Sequence, residues 1–345
     1  MSALPLTSRR DFLGGAALTL GAAASNAWGE PDAQQKEQKI HAYEYWAHRG
    51  DIRLYMYRKL VGPATPGNSK RPILFLTHGS SVSSRPTFDL TVPGHGEYSV
   101  MDVFARYGYD VWTMDFEGYG HSSPSHGNSN IADGVADLQA ATPVIWKETG
   151  QDSLFLYGES SGALRAGAFA MTEPARVRRL VLTALTWTGK GSLTLEKRAK
   201  DDAYYRANNT RPRDRKMIES IFTRDKPGTS DPAVGEAMAN EEMKFGDRTP
   251  TGTYLDMTTK LPLVNPEELT MPVQIIRGQY DGIASIEDVT SFFVRLPVPD
   301  RQFVILPGAA HLPSMGRNRA QFWHVLHAFL DMPPRQDLAA PAETK

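Results

Sequence analysis

The sequence predicts an α/β fold with a mostly parallel central sheet and helices on both faces. Three observations carry this expectation. Ile73-Leu74-Phe75-Leu76 is an uninterrupted apolar run, as a strand buried on both faces requires. Helical spacings of apolar residues then alternate with further runs of that kind. The alternation stops after about residue 187 and resumes at Val273. A chain of 345 residues accommodates one large domain with insertions or two small ones.

Taken in order, residues 28–40 are polar and rich in Gln, Lys and Glu, and read as a linker. Ala42–Trp46 and Ile52–Tyr57 flank Arg49-Gly50-Asp51, and their alternation around a Gly-containing turn predicts an antiparallel hairpin. Pro63–Arg71 is a loop. After the Ile73–Leu76 strand, Val100, Val103, Phe104 and Tyr107 recur at helical spacing and end at Gly108. Tyr109–Met114 is the next strand. Ile131, Val135, Leu138 and Ile145 mark a helix, with a kink expected at Pro143. Leu154–Tyr157 is a third buried strand, followed by a small-residue helix from Ala163 to Met171 and by the Val177–Leu182 strand. Residues 188–263 are charged, hold no buried strand, and read as a mostly helical insertion. Val273–Ile276 and Phe303–Leu306 restore the strand pattern. Phe322, Val325, Leu326, Phe329 and Leu330 line a closing helix before Pro333-Pro334. The tail, 334–345, is Pro/Ala-rich and expected to be disordered.

Composition narrows the chemistry. The apolar fraction of 41% suits a folded domain, and a formal charge of -1 gives no sign of a nucleic-acid partner. The absence of cysteine excludes disulfides, zinc-thiolate sites and a cysteine nucleophile. Residues 1–27 look like an address. Ser8-Arg9-Arg10-Asp11-Phe12-Leu13 precedes a Gly/Ala/Leu run from Gly14 to Ala24, and Ser25-Asn26-Ala27 supplies small residues for cleavage. The stretch resembles a twin-arginine export signal, which implies a periplasmic or secreted protein with no stable membrane anchor after removal.

In an open parallel sheet, ligands bind beyond the carboxyl ends of the strands. The residues just after each predicted strand are therefore the candidates. They are Thr77-His78-Gly79-Ser80-Ser81, Asp115-Phe116-Glu117-Gly118-Tyr119-Gly120-His121-Ser122, Gly158-Glu159-Ser160-Ser161-Gly162, Arg277-Gly278-Gln279-Tyr280-Asp281, and Pro307-Gly308-Ala309-Ala310-His311. Gly-x-Ser-x-Gly between a strand and a helix is the pattern of a nucleophile elbow, in which the flanking residues must be small because helix and strand nearly touch.

Serine, aspartate and histidine, in that order and each after a strand, resemble the α/β-hydrolase family and its triad. The His78-Gly79 turn and the Asp115…Gly118-Tyr119-Gly120…Ser122 loop strengthen the likeness, which covers about residues 41–333. The implied architecture is an α/β-hydrolase fold whose core, 41–187 and 264–333, is interrupted by a lid at 188–263. The implied chemistry makes Ser160 the nucleophile, His311 the general base and acid, and Asp281 the group that fixes the imidazole tautomer. The resemblance places an oxyanion hole at the backbone N–H groups of Ser80 and Ser161. No cofactor and no metal are required, and the expected substrate is a small-molecule carboxylic ester. Amide, lactone or thioester cleavage, perhydrolysis, and a binding role without turnover remain open. Aspartate-dependent relatives, the epoxide hydrolases and dehalogenases, are disfavoured by the serine at 160.

Other readings of these residues stand beside this one. Ser161 is a rival nucleophile, though it is not midway between the glycines. Asp281 is also a helix-cap candidate. His324 and His327 suggest metal ligation but lack an HExxH spacing, and read as surface or packing residues. Glu117 and His121 read as structural, and many family members carry arginine where this chain has Glu117. The stretch from Thr188 to Lys216 holds nine Lys/Arg against four Asp/Glu. This charge is expected to be a solvated lid surface, with attraction of an anionic substrate as the alternative, testable at Arg206 or Arg211.

Overall fold

The computed structural model describes residues 39–336. The export signal, most of the linker and the tail beyond residue 336 lie outside the described residues. In chain order the strands are β1 (Ile40–Arg49), β2 (Ile52–Val61), β3 (Ile73–Thr77), β4 (Asp110–Met114), β5 (Leu154–Glu159), β6 (Val177–Thr183), β7 (Thr210–Pro212), β8 (Arg248–Pro250), β9 (Val273–Gly278) and β10 (Arg301–Leu306). Eight of them form one sheet in the order β1-β2-β4-β3-β5-β6-β9-β10, parallel from β4 to β10, with the β1–β2 hairpin antiparallel at one edge. The fold is that of an α/β-hydrolase. β1 begins at Ile40, the last residue of the segment read as linker, and pairs there with Val61.

The apolar runs form strands because both faces of the sheet are covered. Along β3, Ile73 and Phe75 join the core of one face while Leu74 and Leu76 join the other, the period of two that a strand imposes. The helices Ile131–Thr149, Ser161–Thr172 and Ile286–Phe293 supply the first face through Leu138, Phe169 and Phe292. Val100–Arg106 and Arg319–Leu330 supply the second through Phe104, Phe322 and Leu326. The helix over Ile131–Thr149 is unbroken in its assignment through Pro143 and starts with a reciprocal capping box between Asn130 and Asp133. Burying charge among these strands requires a partner. Arg58 on β2 meets Asp110 on β4 through two bonds of 2.7 and 2.6 Å, both side chains fully buried.

Between β6 and β9 the chain makes the predicted excursion. It holds the helices Leu193–Ala199, Asp202–Ala207, Arg215–Ser220, Pro232–Glu242 and Gly252–Thr259. It also holds the ribbon of β7 and β8, which sequence reading did not anticipate because each strand is three residues long and ends in proline. Ile218, Ile221, Phe222 and Met238 of this excursion pack against Val82, Leu90, Val92 and Tyr98 of the loop after β3. That separate core holds the excursion over the carboxyl ends of the strands. Among the described residues no helix is long and apolar enough to cross a membrane.

Candidate active site

The turn from β5 into the helix Ser161–Thr172 sets Ser160 at φ 58°, ψ -125°, outside the ordinary minima of an L-residue. Such a turn survives only where strand and helix approach closely, and the flanking glycines permit that. A Cβ on Gly158 would meet Gly162 O at 2.4 Å, and one on Gly162 would meet Thr77 O at 2.3 Å. The Thr77 hydroxyl bridges the same junction, donating to Tyr157 O and Gly162 O at 2.9 and 3.1 Å. The elbow is thereby fixed and lifts Ser160, which is only partly buried, above the sheet edge.

His311 Nε2 lies 2.9 Å from Ser160 Oγ, and its Nδ1 lies 2.9 Å from Asp281 Oδ1. Asp281 Oδ1 also accepts the amides of Ile283 and Ala284 at 2.9 and 3.0 Å. Burial pushes the Asp281 pKa up, but His311 and these amides outweigh it and hold the carboxyl below its ordinary value. An ionised carboxylate only accepts, so Nδ1 of His311 carries the ring proton and Nε2 is free to accept from the serine hydroxyl. The loops bearing these residues are laced together. Gln279 N and Tyr280 N donate to Leu306 O and Ala309 O, both at 2.9 Å. The Arg277 guanidinium spans the aspartate loop, donating to Ala284 O, Gly278 O and Asp281 O. Asp281 therefore both caps the following turn and faces His311, so the two readings of it coexist.

Ser80 and Ser161 also meet beside the elbow. The Ser80 hydroxyl donates to Ser161 Oγ at 2.7 Å, a contact with no signal in the sequence. Ser161 opens its helix, so its N–H has no acceptor within that helix. Its hydroxyl is buried against Ser80 and makes no bond to His311, which answers the question of which serine faces the imidazole.

His78 sets the position of the neighbouring turn. Its Nε2 accepts the Phe116 amide at 3.2 Å, leaving Nδ1–H to donate to Gly79 O at 2.8 Å. Burial, reinforced by Arg165, pulls its pKa from 6.5 down to about 3. A depressed folded pKa means that the unfolded chain binds the proton first as pH falls. Its contribution to stability is therefore present above pH 6.5 and lost on the way down to about 3. In His78→Asn the acid limb of the urea-unfolding free energy should be shallower by about 1.4 kcal/mol per pH unit over this window, one proton's worth. An unchanged slope would show that His78 is not held neutral.

The remaining sequence candidates separate. Glu117 pairs with Arg49 at 2.7 Å and its amide donates to Asp137, a structural ion network at the hairpin. The His121 ring packs between Tyr55 and Phe245, with centroids 4.6 and 4.8 Å away. His327 stacks on Tyr107 at 4.2 Å as a packing residue, and His324 is exposed. The expectation of a solvated basic surface at 188–216 holds for Lys190, Lys197, Lys200, Arg206, Arg215 and Lys216, which are exposed, and fails at three arginines. Arg206 is exposed, but Arg213 is buried on Glu242, and Arg198 and Arg211 lie against the Tyr254 ring. Guanidinium groups stack on aromatic faces and reach distant carboxylates, neither of which a charge count reveals.

Two more residues escaped sequence reading. Asp225 is brought to Asp281 and His311, with one ligand-type atom of each lying within 4.8 Å of the others. Among the described residues this is the one such grouping, but both His311 nitrogens and Asp281 Oδ1 are already engaged with Ser160 and with each other. Arg224, one residue earlier, donates to Asp225 Oδ1 at 3.2 Å. Arg198 and Arg224 join Ser80, Glu159, Ser160, Ile221 and His311 in lining a narrow cavity of about 40 Å³.

Comparison with known proteins agrees with this architecture. An 18% identical E-2-(acetamidomethylene)succinate hydrolase superposes with a TM-score of 0.61 over 84% of this chain and 100% of its own. A thermophilic esterase from Thermogutta terrifontis, malate bound, is 17% identical with a TM-score of 0.57 over 84% and 98%. At such identities the likeness shows the fold. The lipase lipl-1 of Caenorhabditis elegans is 35% identical over 109 residues, which are 28% of this chain and 25% of the lipase, so the match spans about a quarter of that relative's length. The model of the Hydrolase_4 family, described as serine aminopeptidase, S33, matches residues 92–315, more than half of the chain. The chain belongs to this hydrolase family.

Proposed function

We propose that the protein is a serine hydrolase of carboxylic esters working through an acyl-enzyme. The observation that carries this reading is the continuous relay from Ser160 Oγ through His311 to Asp281, with both links at 2.9 Å. His311 Nε2 takes the Ser160 proton as Oγ attacks the carbonyl carbon, and Asp281 stabilises the imidazolium that forms. The N–H groups of Ser80 and Ser161 receive the oxyanion, each donor contributing about 3 kcal/mol. His311 then protonates the leaving alcohol. In the second half, it deprotonates water, which attacks the acyl carbon and returns Ser160 to its starting state. None of these steps draws on a cofactor.

The family description names aminopeptidases, which must accommodate an α-ammonium. Two guanidinium groups at the cavity oppose such a group, and this favours the ester reading. The cavity has room for roughly three waters, so an ester would enter only as part of its lining shifts; the excursion supplies Arg198, Ile221 and Arg224 to that lining, which supports a lid role for 188–263. The twin-arginine resemblance of residues 1–27 supports export to the periplasm or beyond.

A fluorophosphonate probe should label the wild-type protein at Ser160, mapped by peptide mass spectrometry, and p-nitrophenyl esters should be hydrolysed. A protein that is neither labelled nor active on a panel of such esters would rule the proposal out.

A further inference from the structure

Three arginines of the excursion converge beside the cavity with too few acids to neutralise them. The Arg198 and Arg211 guanidinium carbons sit 4.9 and 4.7 Å from the centre of the Tyr254 ring. The Tyr254 hydroxyl is 2.6 Å from Ser81 Oγ, and Ser81 lines the cavity with Arg198 and Arg224. Arg224 has Asp225 as its partner. Among the described residues, no carboxylate lies within ion-pair distance of Arg198 or Arg211.

The electrostatics agree with the geometry at Arg198, whereas at Arg211 burial is outweighed by Tyr254, Tyr205 and Asp201, which hold its pKa above its ordinary value. Burial pulls the Arg198 pKa below its ordinary value, and Tyr254 only partly offsets this. Tyr254 registers the same excess of positive charge. Burial pushes its phenol up, but Arg211, Arg198 and the Ser81 hydroxyl outweigh this and hold it below its usual range. A partly desolvated cation without a counter-ion is unfavourable, and an anion bound there offsets that cost.

We propose that Arg198 and Arg224 form a carboxylate subsite beside Ser160, so that the preferred substrates are esters carrying a free carboxylate a short reach from the scissile bond. This rests on the serine-hydrolase reading given above. A planar carboxylate matches the two-pronged donor face of a guanidinium. The narrow cavity keeps the charge close to the reacting carbonyl. Glu159 also lines this space, but its Oε2 accepts from the Tyr157 and Ser314 hydroxyls at 2.9 Å each. Burial pushes the Glu159 pKa up, and the Ser314 and Tyr157 hydroxyls act against that rise.

The test compares matched ester pairs by kcat/KM. On the acyl side, mono-4-nitrophenyl glutarate is set against 4-nitrophenyl pentanoate. On the alcohol side, 4-acetoxybenzoate is set against its methyl ester. Wild type should favour the charged member of at least one pair by about tenfold or more, the scale of a hydrogen bond to a charged group. Arg198→Gln should erase most of that ratio, Arg198→Lys should retain part of it, and exposed Arg206→Gln should leave it unchanged. A ratio near one in both pairs overturns the subsite while leaving the hydrolase reading intact. So does a preference that survives Arg198→Gln, or that falls equally in Arg206→Gln. Loss of labelling and of all ester turnover in wild type would instead remove the underlying reading. Should Arg198→Gln fail to fold, protection of wild-type Ser160 from the fluorophosphonate decides the matter. Glutarate should protect and glutaramide should not, and equal protection by both overturns the subsite.

Discussion

Ser160→Ala is expected to lower kcat by about 10⁴-fold or more on every ester that the wild type hydrolyses, with little change in thermal stability. The side chain lost is one hydroxyl on a partly buried residue, and the strained backbone at φ 58° is set by Gly158, Gly162 and Thr77 rather than by that hydroxyl. Asp281→Asn should cost a comparable factor for a different reason. The amide can donate to Nδ1 and so stabilises the tautomer that leaves Nε2 protonated and unable to accept from Ser160. On the proposed mechanism the three residues act as a unit, so the double variant Ser160→Ala/Asp281→Asn should be little worse than Ser160→Ala alone. Steady-state kinetics on a p-nitrophenyl ester, with a melting curve for each variant, decide this. A Ser160→Ala protein within tenfold of wild type would move the nucleophile elsewhere, and multiplicative losses in the double variant would argue against a shared relay.

The parts of this site that could be read in the sequence are those fixed by local chain geometry. Ser160, Asp281 and His311 each follow an apolar run, the mark of a strand in a covered parallel sheet, although β10 at the sheet edge is only partly buried. The glycines at 158 and 162 announce a close approach that no other residue allows. What escaped reading depends on contacts between distant stretches. Glu242 reaches Ser83 across 159 positions, and Arg213 reaches the Ser81 carbonyl across 132. Asp225 meets Asp281 and His311 only because the excursion folds back over the strand ends. The basic excess at 188–216 was visible as a sum. Its division into exposed Arg206, ring-stacked Arg198 and buried Arg213 is a matter of tertiary packing, to which composition is blind.

Arg213→Met should destabilise the protein by about 3–5 kcal/mol, the usual cost of stripping one partner from a buried ion pair. Arg213 and Glu242 have side chains 2% and 0% exposed, so neither charge can turn to water when the other is gone. The pair is also the point at which the excursion grips the loop carrying Ser80. Glu242 Oε2 accepts the Ser83 amide and hydroxyl at 2.9 and 2.6 Å, and Arg213 donates to Ser81 O and Gly246 O. Tyr119 and Thr249 hold the Ser80 carbonyl from two further elements. Burial pushes Glu242 up to about 7 even with Arg213 present, so in the wild type its contribution to stability is full below pH 4.5 and lost as pH rises to about 7. Without the guanidinium the folded pKa climbs further, and the penalty keeps growing above pH 7. Urea unfolding should therefore show Arg213→Met closer to wild type at pH 6 than at pH 8.5. The double variant Arg213→Met/Glu242→Leu, which leaves no unpaired buried charge, should regain most of the stability. It should not regain full activity, because Ser83 has then lost its acceptor and the Ser80 amide its fixed position. A double variant as active as wild type would mean that the clamp holds the excursion alone, and that the loop after β3 keeps its shape through His78, Tyr119 and Asp115.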